Sequence, residues 1–253
     1  MENTIFSYTD EERRLLKRNT KFNIAIIRVG FNICIFASVA AAFLLWFRIV
    51  MHPIVMIITY LIMYLLLIGG GTCSMLGIRS FRKENGYFRA AFILETISVF
   101  LTALTAAWVY LVLRYGLQGI RYNLFAYFLL SLCQAIAMLV MSKGYRRLLR
   151  EQEKLYIRNH FNVLAALFVA IAFFVLMIIV TLEIYCIVVF GVAIIICCLV
   201  ANYQIRSILE DVEGENITIY CLSVKGTDWA IGAAVMVAGM ALVCFLTWGL
   251  SPF

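Results

Sequence analysis

Charged residues are scarce in this chain. Asp, Glu, Lys and Arg together make up 14% of its 253 residues, while apolar residues make up 64% and the mean hydropathy is +0.98. A typical soluble domain carries about 25% charged residues, because its surface must stay hydrated. The composition therefore excludes an ordinary soluble domain and indicates a chain whose solvent is a lipid bilayer.

Histidine is also scarce, with two residues, His52 and His160, far apart in the sequence. Two isolated histidines provide no paired-imidazole metal site and little sign of a Ser-His catalytic arrangement. The sequence contains neither a P-loop nor an HExxH motif. We therefore predict no metal and no cofactor, and the sequence does not favour an enzyme.

A cleavable leader and a disulfide framework are not expected either. The chain opens with polar, acidic and then basic residues before its first apolar stretch, unlike a secretory signal peptide. Seven of the eight cysteines fall inside predicted membrane spans, and Cys221 lies in a predicted cytoplasmic loop. Membrane insertion is expected to use the first span, and no disulfides are expected.

Seven apolar stretches of about 20 to 26 residues are present. Roughly 20 apolar residues in a helix cross a hydrocarbon core roughly 30 Å thick. We predict an all-helical, multi-pass membrane bundle, with an amphipathic cytoplasmic segment (1–21) before a seven-helix transmembrane domain (22–253). Glu183 divides the longest apolar block into two spans, because a charge is costly in lipid. The predicted spans are 22–47, 54–78, 90–113, 122–141, 161–182, 184–203 and 229–249.

Arginine and lysine are crowded into alternate gaps between these spans. Residues 1–21 carry five, 79–89 four, 142–160 six and 204–228 two, whereas the other gaps hold only Arg48, Arg114 and Arg121. Positive charge in short loops favours the cytoplasmic side. The N-terminus is therefore predicted to be cytoplasmic and the C-terminus outside, in the plasma membrane. The net charge of +7 then reflects topology and attraction to anionic inner-leaflet lipids, with no nucleic-acid partner.

Four basic segments resemble one another: RRLLKRN, IRSFRKEN, YRRLLREQ and IRSILED. They are spaced by about one basic segment plus two spans, as helix-hairpin repeats would be. Inside-positive charge and interfacial aromatic residues produce the same likeness without duplication, so both interpretations stay open. The third segment, from about Tyr145 to His160, is predicted to be a separate amphipathic helix at the membrane interface. The candidate lipid or partner contacts in these segments are Arg13, Arg79, Arg146, Arg147, Arg150 and Arg206.

Polar residues inside the predicted spans are the strongest functional clues, since a charge in hydrocarbon is expensive. Arg28 and Glu95 lie at similar depth in the first and third spans, so they are candidates for a buried ion pair; snorkelling of Arg28 is the alternative. Spans one, three and four carry further polar residues at helical spacing. This polar seam is either a conduction or substrate path or hydrogen bonding between helices. The candidate pathway residues are Arg28, Asn32, Glu95, Ser98, Thr102 and Gln134.

Three consecutive glycines, Gly69, Gly70 and Gly71, lie within the second predicted span. Each weakens a helix by roughly 1 kcal/mol relative to alanine. One hypothesis is a broken helix whose free carbonyls face a bound ion or substrate. The other is close packing against a neighbouring helix.

The sequence thus favours a membrane transport protein, or the membrane-spanning subunit of a transporter or channel complex, with no substrate specified. Two alternatives stay open. One is a membrane-embedded sensor or scaffold that docks a cytoplasmic partner. The other is a lipid-handling enzyme in which Arg79, Arg146 and Arg206 hold an anionic headgroup. The odd number of spans also leaves room for another membrane or cytoplasmic subunit or for a homo-oligomer.

Overall fold

The computed structural model of the protein describes residues 10–47, 53–81, 86–115, 117–181, 184–214 and 226–249. Across these ranges the chain is helical without any strand, which confirms the all-helical part of the predicted fold class. The seven helices found there correspond one by one to the predicted spans. Their bounds are Asp10–Phe47 (α1), Pro53–Phe81 (α2), Gly86–Tyr115 (α3), Leu117–Glu151 (α4), His160–Thr181 (α5), Ile184–Glu213 (α6) and Gly226–Gly249 (α7).

The longest apolar block of the sequence forms two helices. Helix α5 ends at Thr181 and α6 begins at Ile184. The predicted division of this block is therefore confirmed, although Glu183 itself lies outside the described residues.

The first helix is 38 residues long and is continuous from Asp10 to Phe47. It begins with Asp10, Glu11 and Glu12, where the positive end of the helix dipole favours negative charge. Most of the predicted N-terminal segment therefore belongs to the same helix as the first predicted span.

Four of the described helices are long and apolar enough to cross a membrane, judged by length and composition. These helices are α1, α4, α5 and α6, and they indicate an integral membrane protein. The membrane-compatible stretches are Arg14–Ala37, Leu124–Glu151, His160–Thr181 and Val188–Val212.

Large apolar side chains are exposed on the outer faces of these helices. On α6, Val189, Val192, Ile196 and Leu199 recur every three or four residues, and each is more than 50% exposed. A continuous apolar stripe of this kind suits contact with lipid, whereas a soluble protein would bury it.

Helices α1 to α6 form a closed ring. Each packs against the next one in the chain, and α6 also packs against α1. Because short connections join consecutive helices, neighbours in the ring run antiparallel. Helices α1, α3 and α5 therefore begin at the same end at which α2, α4 and α6 finish. We call this the basic end, because Lys17, Arg89, Arg146 and Arg206 lie there.

Helix α7 lies outside this ring, against α2 and α3. A Cβ atom on Gly232 would lie 2.9 Å from Cδ1 of Leu76 and 3.2 Å from Cγ2 of Thr72, so the glycine lets α7 approach α2 closely. Ser74 and Ile78, on the opposite face of α2, line a cavity inside the ring. Helix α2 thus separates α7 from the interior of the ring.

Helix α2 passes through Gly69, Gly70 and Gly71 as regular helix. The candidate helix break is therefore wrong, and the other hypothesis, close packing, agrees with the structure. A Cβ atom on Gly70 would lie 2.6 Å from the carbonyl oxygen of Gly30 on α1. The backbones of α1 and α2 can cross this closely because neither position carries a side chain.

Helix α4 extends beyond the predicted span and ends in a Schellman motif. The amide of Lys154 donates to the carbonyl of Leu149 at 2.9 Å, and the amide of Glu153 donates to that of Arg150 at 3.1 Å. Glu153 adopts a left-handed conformation with φ of 56°. The backbone then runs through residues 154–159 to the start of α5.

The predicted amphipathic helix between Tyr145 and His160 is therefore wrong. The first part of this segment is the last two turns, roughly, of α4. Tyr145, Leu148 and Leu149 are buried there rather than placed at an interface. They belong to the main hydrophobic cluster of the protein, in which side chains of all six ring helices meet near the basic end. Further members of this cluster are Phe88, Met141, Phe161, Leu164, Ile205 and Ile208.

Candidate functional site

Glu95 is the most deeply buried carboxylate among the described residues, with 0% exposure. It lies on α3 and faces α4, where the Nε2 group of Gln134 donates a hydrogen bond to its Oε2 at 2.9 Å. Its other oxygen, Oε1, is buried and has no hydrogen-bond partner in the described part of the chain. A buried carboxylate with one free oxygen is costly unless it serves a function or binds something.

Hydroxyl groups lie beside Glu95 on the same two helices. Ser98 and Thr102 on α3 are buried, as is Ser131 on α4. Thr102 donates to the carbonyl of Ser98 at 2.9 Å, and Ser131 donates to the carbonyl of Tyr127 at 2.8 Å. These two bonds stay within single helices, so they do not by themselves join α3 to α4.

Arg28 and Glu95 do not form the hypothesised ion pair. Glu95 is bonded to Gln134 instead, and Arg28 Nε is buried without a hydrogen-bond partner among the described residues. Arg28 and Asn32 are both half-buried on α1. The pair was expected from equal depth alone, but equal depth does not determine which helix faces bring two side chains together. One part of the predicted polar seam is present in the structure: the hydrogen bond between Gln134 and Glu95 connects α4 to α3.

A small cavity lies inside the ring, between Gln134 and the basic end. Its volume is about 40 Å³, and side chains from all six ring helices line it. The lining is mainly apolar, with three polar residues, Ser74, Gln134 and Tyr145. Gln134 thus touches the cavity and Glu95 at the same time.

A second polar cluster lies at the basic end and was not identified from the sequence. His160, the first residue of α5, is buried, and its side chain faces α6. Its Nδ1 atom lies 2.8 Å from Oε1 of Gln204, and its Nε2 atom lies 3.4 Å from Oδ2 of Asp211. Both ring nitrogens therefore face oxygen acceptors. The contact with Gln204 is a hydrogen bond, whereas Nε2 only lies within ion-pair distance of Asp211.

The start of α5 is also tied to α4 by polar side chains. Asn159 Nδ2 donates to the carbonyl oxygen of Ser142 at 3.0 Å, and the Ser142 hydroxyl donates to Oδ1 of Asn162. These contacts hold His160 against the last turns of α4. His160 contacts residues of α6, and its neighbours Asn159 and Asn162 contact Ser142 on α4, all far apart in the sequence, so no local sequence spacing predicts this cluster.

The predicted lipid or partner contacts are spread over the basic end. Arg146, Arg147, Arg150 and Arg206 are exposed. Arg147 pairs with Glu151 at 2.9 Å and Arg206 pairs with Glu210 at 2.8 Å, both within one helix. Arg79 lies over the ring of Phe92, 5.8 Å from its centroid. The side chain of Arg13 lies outside the described part of the structure.

The described residues contain no group of three or more His, Cys, Asp or Glu side chains that would hold a metal ion. In comparisons with protein-family models, with curated proteins and with solved structures, no match to this chain was found. Its function must therefore be argued from its own residues.

Proposed function

We propose that the protein is a membrane transport protein, with its path along the axis of the α1–α6 ring. The observation that carries the proposal is the fully buried Glu95, whose partner Gln134 also lines the central cavity. Ionisable residues within membrane helices are rare, face the interior of a bundle and commonly mark the path of an ion or substrate.

The ring combines an apolar outer surface with polar groups in its interior, as a transport path requires. Its outer surface is apolar, as on α6, while its interior holds a carboxylate, an amide and a cavity. All seven helices cross the bilayer in this proposal, and the basic end faces the cytoplasm, as the distribution of arginine and lysine predicts. The site is closed in the structure, since Glu95 is fully buried, so transport requires a second conformation that opens it to water.

Thiol accessibility tests this path without knowledge of the substrate. Gln134→Cys places a thiol on the cavity, and Ile136→Cys places one on the same helix where the native side chain is 50% exposed on the outer face. We expect a membrane-impermeant, charged methanethiosulfonate to label Gln134→Cys in sealed vesicles and to leave Ile136→Cys unlabelled. The reason is that thiols react as thiolates, which form in water and not in lipid.

Peptide mass spectrometry locates the label and separates it from the native cysteines, with the unsubstituted protein as the background. Tyr156→Cys, in the exposed connection between α4 and α5, is the positive control and also reports which side of the membrane the basic end faces. If Tyr156→Cys is labelled while Gln134→Cys stays unlabelled from both sides, no aqueous path reaches the cavity and the transport proposal fails.

A second function, docking of a cytoplasmic partner, is favoured by one feature of the basic end. Leu155 and Tyr156 are 61% and 81% exposed, next to the basic residues Lys154 and Arg158. Native mass spectrometry of the protein purified from its own source in mild detergent distinguishes the two functions. A stoichiometric cytoplasmic partner that is lost in Tyr156→Ala would favour the docking function, whereas a monomer or homo-oligomer would favour a self-contained transporter.

A further inference from the structure

The hydroxyl group of Tyr145 is buried beside the central cavity. Tyr145 is 0% exposed, lines the cavity, and packs edge-on against Phe161 with ring centroids 5.3 Å apart. Its hydroxyl has no hydrogen-bond partner among the residues that the structure describes. A buried hydroxyl without a partner is unfavourable, and water in the adjoining cavity would satisfy it.

The size of the cavity suits a few water molecules, although its lining is mainly apolar. Each buried water needs about 10–15 Å³ of such volume and two or more polar partners. A cavity of about 40 Å³ therefore has room for two or three waters, and Ser74, Gln134 and Tyr145 supply the polar groups. The same volume is too small for a lipid chain or a metabolite.

This cavity lies between the two buried groups of ionisable residues. Gln134, at one side, is bonded to Glu95. Tyr145, about 16 Å further along α4 at 1.5 Å per residue, lies beside Phe161, the residue after His160. The Asp211 carboxylate interacts electrostatically with the Tyr145 hydroxyl. The ionisable groups thus follow one another from the middle of the ring to its basic end.

We propose that the cavity holds water and carries protons between the His160–Asp211 pair at the basic end and Glu95 inside the ring. This inference rests on the proposed transport function and names the proton as the transported ion. The groups that face this route from the neighbouring helices are Cys34 on α1, Cys133 and Gln134 on α4, and Gln204 on α6. Arg28 is a half-buried cation on α1, the helix that also contributes Ile24 and Phe31 to the cavity lining.

Each step is a proton transfer between oxygen or nitrogen atoms. Glu95 does not itself line the cavity, so water reaches its carboxylate in the second, open conformation. There an O–H bond on that water breaks and an O–H bond on the carboxyl oxygen forms. The water then regains a proton from the side of Tyr145, and the His160–Asp211 pair releases one and recovers one from the aqueous phase. The carboxyl O–H bond of Glu95 then breaks, and the proton passes to water at the opposite end of the ring, which regenerates the carboxylate. No electron is exchanged, and one positive charge moves for each proton that crosses.

The hydration of the cavity can be tested without any transport assay. Tyr145→Phe removes only the hydroxyl. If water bonds to this hydroxyl, we expect the melting temperature of the protein in detergent to fall by about 2 to 4 °C. If the cavity is dry, the same substitution removes an unsatisfied polar atom and the melting temperature stays the same or rises, which would overturn the proposal. Tyr185→Phe, where the native side chain is 83% exposed, is the matched control and should melt like the unsubstituted protein.

Proton passage is tested in liposomes that contain a pH-sensitive dye and carry a potassium diffusion potential, negative inside. We expect protein-dependent acidification in the absence of any other solute. Glu95→Gln should reduce it to the rate of empty liposomes, and Tyr145→Phe should slow it. Tyr185→Phe and Glu210→Gln, which change an exposed tyrosine and an exposed carboxylate, should leave it unchanged.

The outcomes separate this inference from the transport proposal. If Gln134→Cys is labelled from water but the unsubstituted protein admits no protons, the proton route is wrong and transport of another solute stands. If Tyr145→Phe conducts as fast as the unsubstituted protein, the route through this hydroxyl is wrong. If Gln134→Cys is never labelled and no protons pass, both proposals fail.

Discussion

Gln134 donates from Nε2 to Oε2 of Glu95 at 2.9 Å, and the same side chain lines the cavity inside the ring. The two residues come from adjacent antiparallel helices, α4 and α3, and are 39 positions apart in the chain. Gln134 therefore has two tasks: it satisfies one oxygen of a buried carboxylate, and it stands between that carboxylate and the cavity.

Removing the donor should expose the cost of burying Glu95. Gln134→Leu leaves both carboxylate oxygens without a partner, and we expect it to lower the free energy of unfolding by about 1 to 2 kcal/mol. The double variant Glu95→Leu and Gln134→Leu should recover much of this loss, since it removes both partners. Thermal unfolding of the variants in detergent measures the effect. A double variant less stable than Gln134→Leu would contradict a net cost of the unpaired carboxylate.

Exchanging the charges of Arg28 and Glu95 should give no rescue. The sequence alone made these residues candidates for an ion pair, and the double variant Arg28→Glu with Glu95→Arg would then recover the folded yield lost by each single change. In the structure Glu95 bonds to Gln134 and not to Arg28, so the double variant is expected to fold no better than the worse single variant. Folded yield after size-exclusion chromatography measures this. Recovery in the double variant would show that the two side chains do meet.

Alanine substitution at two neighbouring glycines of α2 should change the stability of the protein in opposite directions. A Cβ atom on Gly70 would lie 2.6 Å from the backbone oxygen of Gly30, so Gly70→Ala must push α1 and α2 apart and should destabilise the protein. Gly69 has nothing within 4 Å of such an atom, so Gly69→Ala should stabilise the helix by up to about 1 kcal/mol. Melting temperatures of the two variants form a matched pair. Equal effects of the two substitutions would contradict the close crossing of the helices.

The end of α4 offers a stabilising substitution. Glu153 has φ of 56°, a region that costs a residue with a side chain about 1 to 2 kcal/mol and glycine little. Glu153→Gly should therefore raise the free energy of unfolding, by about 1 kcal/mol. Glu151→Gly, within the last turn of the helix, is the control and should lower it by a similar amount. Denaturation followed by circular dichroism measures both changes.

Much of the fold followed from local sequence patterns. Each long apolar stretch became a helix, and the division of the block between Phe161 and Tyr203 was correct, because hydrophobicity and length are properties of a continuous segment. One local prediction and one candidate interpretation were wrong. The three glycines do not break α2, since packing against α1 offsets their weak helix propensity, and the segment after Tyr145 prolongs α4 because its apolar face is covered by the core.

The candidate site was predictable only in part. Glu95 and Gln134 stood out because polar residues are rare in apolar stretches, but their mutual hydrogen bond did not, and Arg28 was the partner that equal depth suggested. His160, Gln204 and Asp211 gave no signal at all. Gln204 and Asp211 lie 44 and 51 positions after His160 in the chain. Taken singly, each of the three is an ordinary polar residue near the end of a span.

The amino-acid sequence by itself determined the class of this protein and its helices, because the number of apolar residues in a row sets whether a segment forms a helix long enough for a bilayer. The tertiary structure alone decided that six helices close into a ring, that α7 stays outside it, and that Glu95 meets Gln134 rather than Arg28. These outcomes depend on the rotation of each helix about its own axis and on the packing of small residues such as Gly30 and Gly70. Only contacts between distant segments can set that rotation.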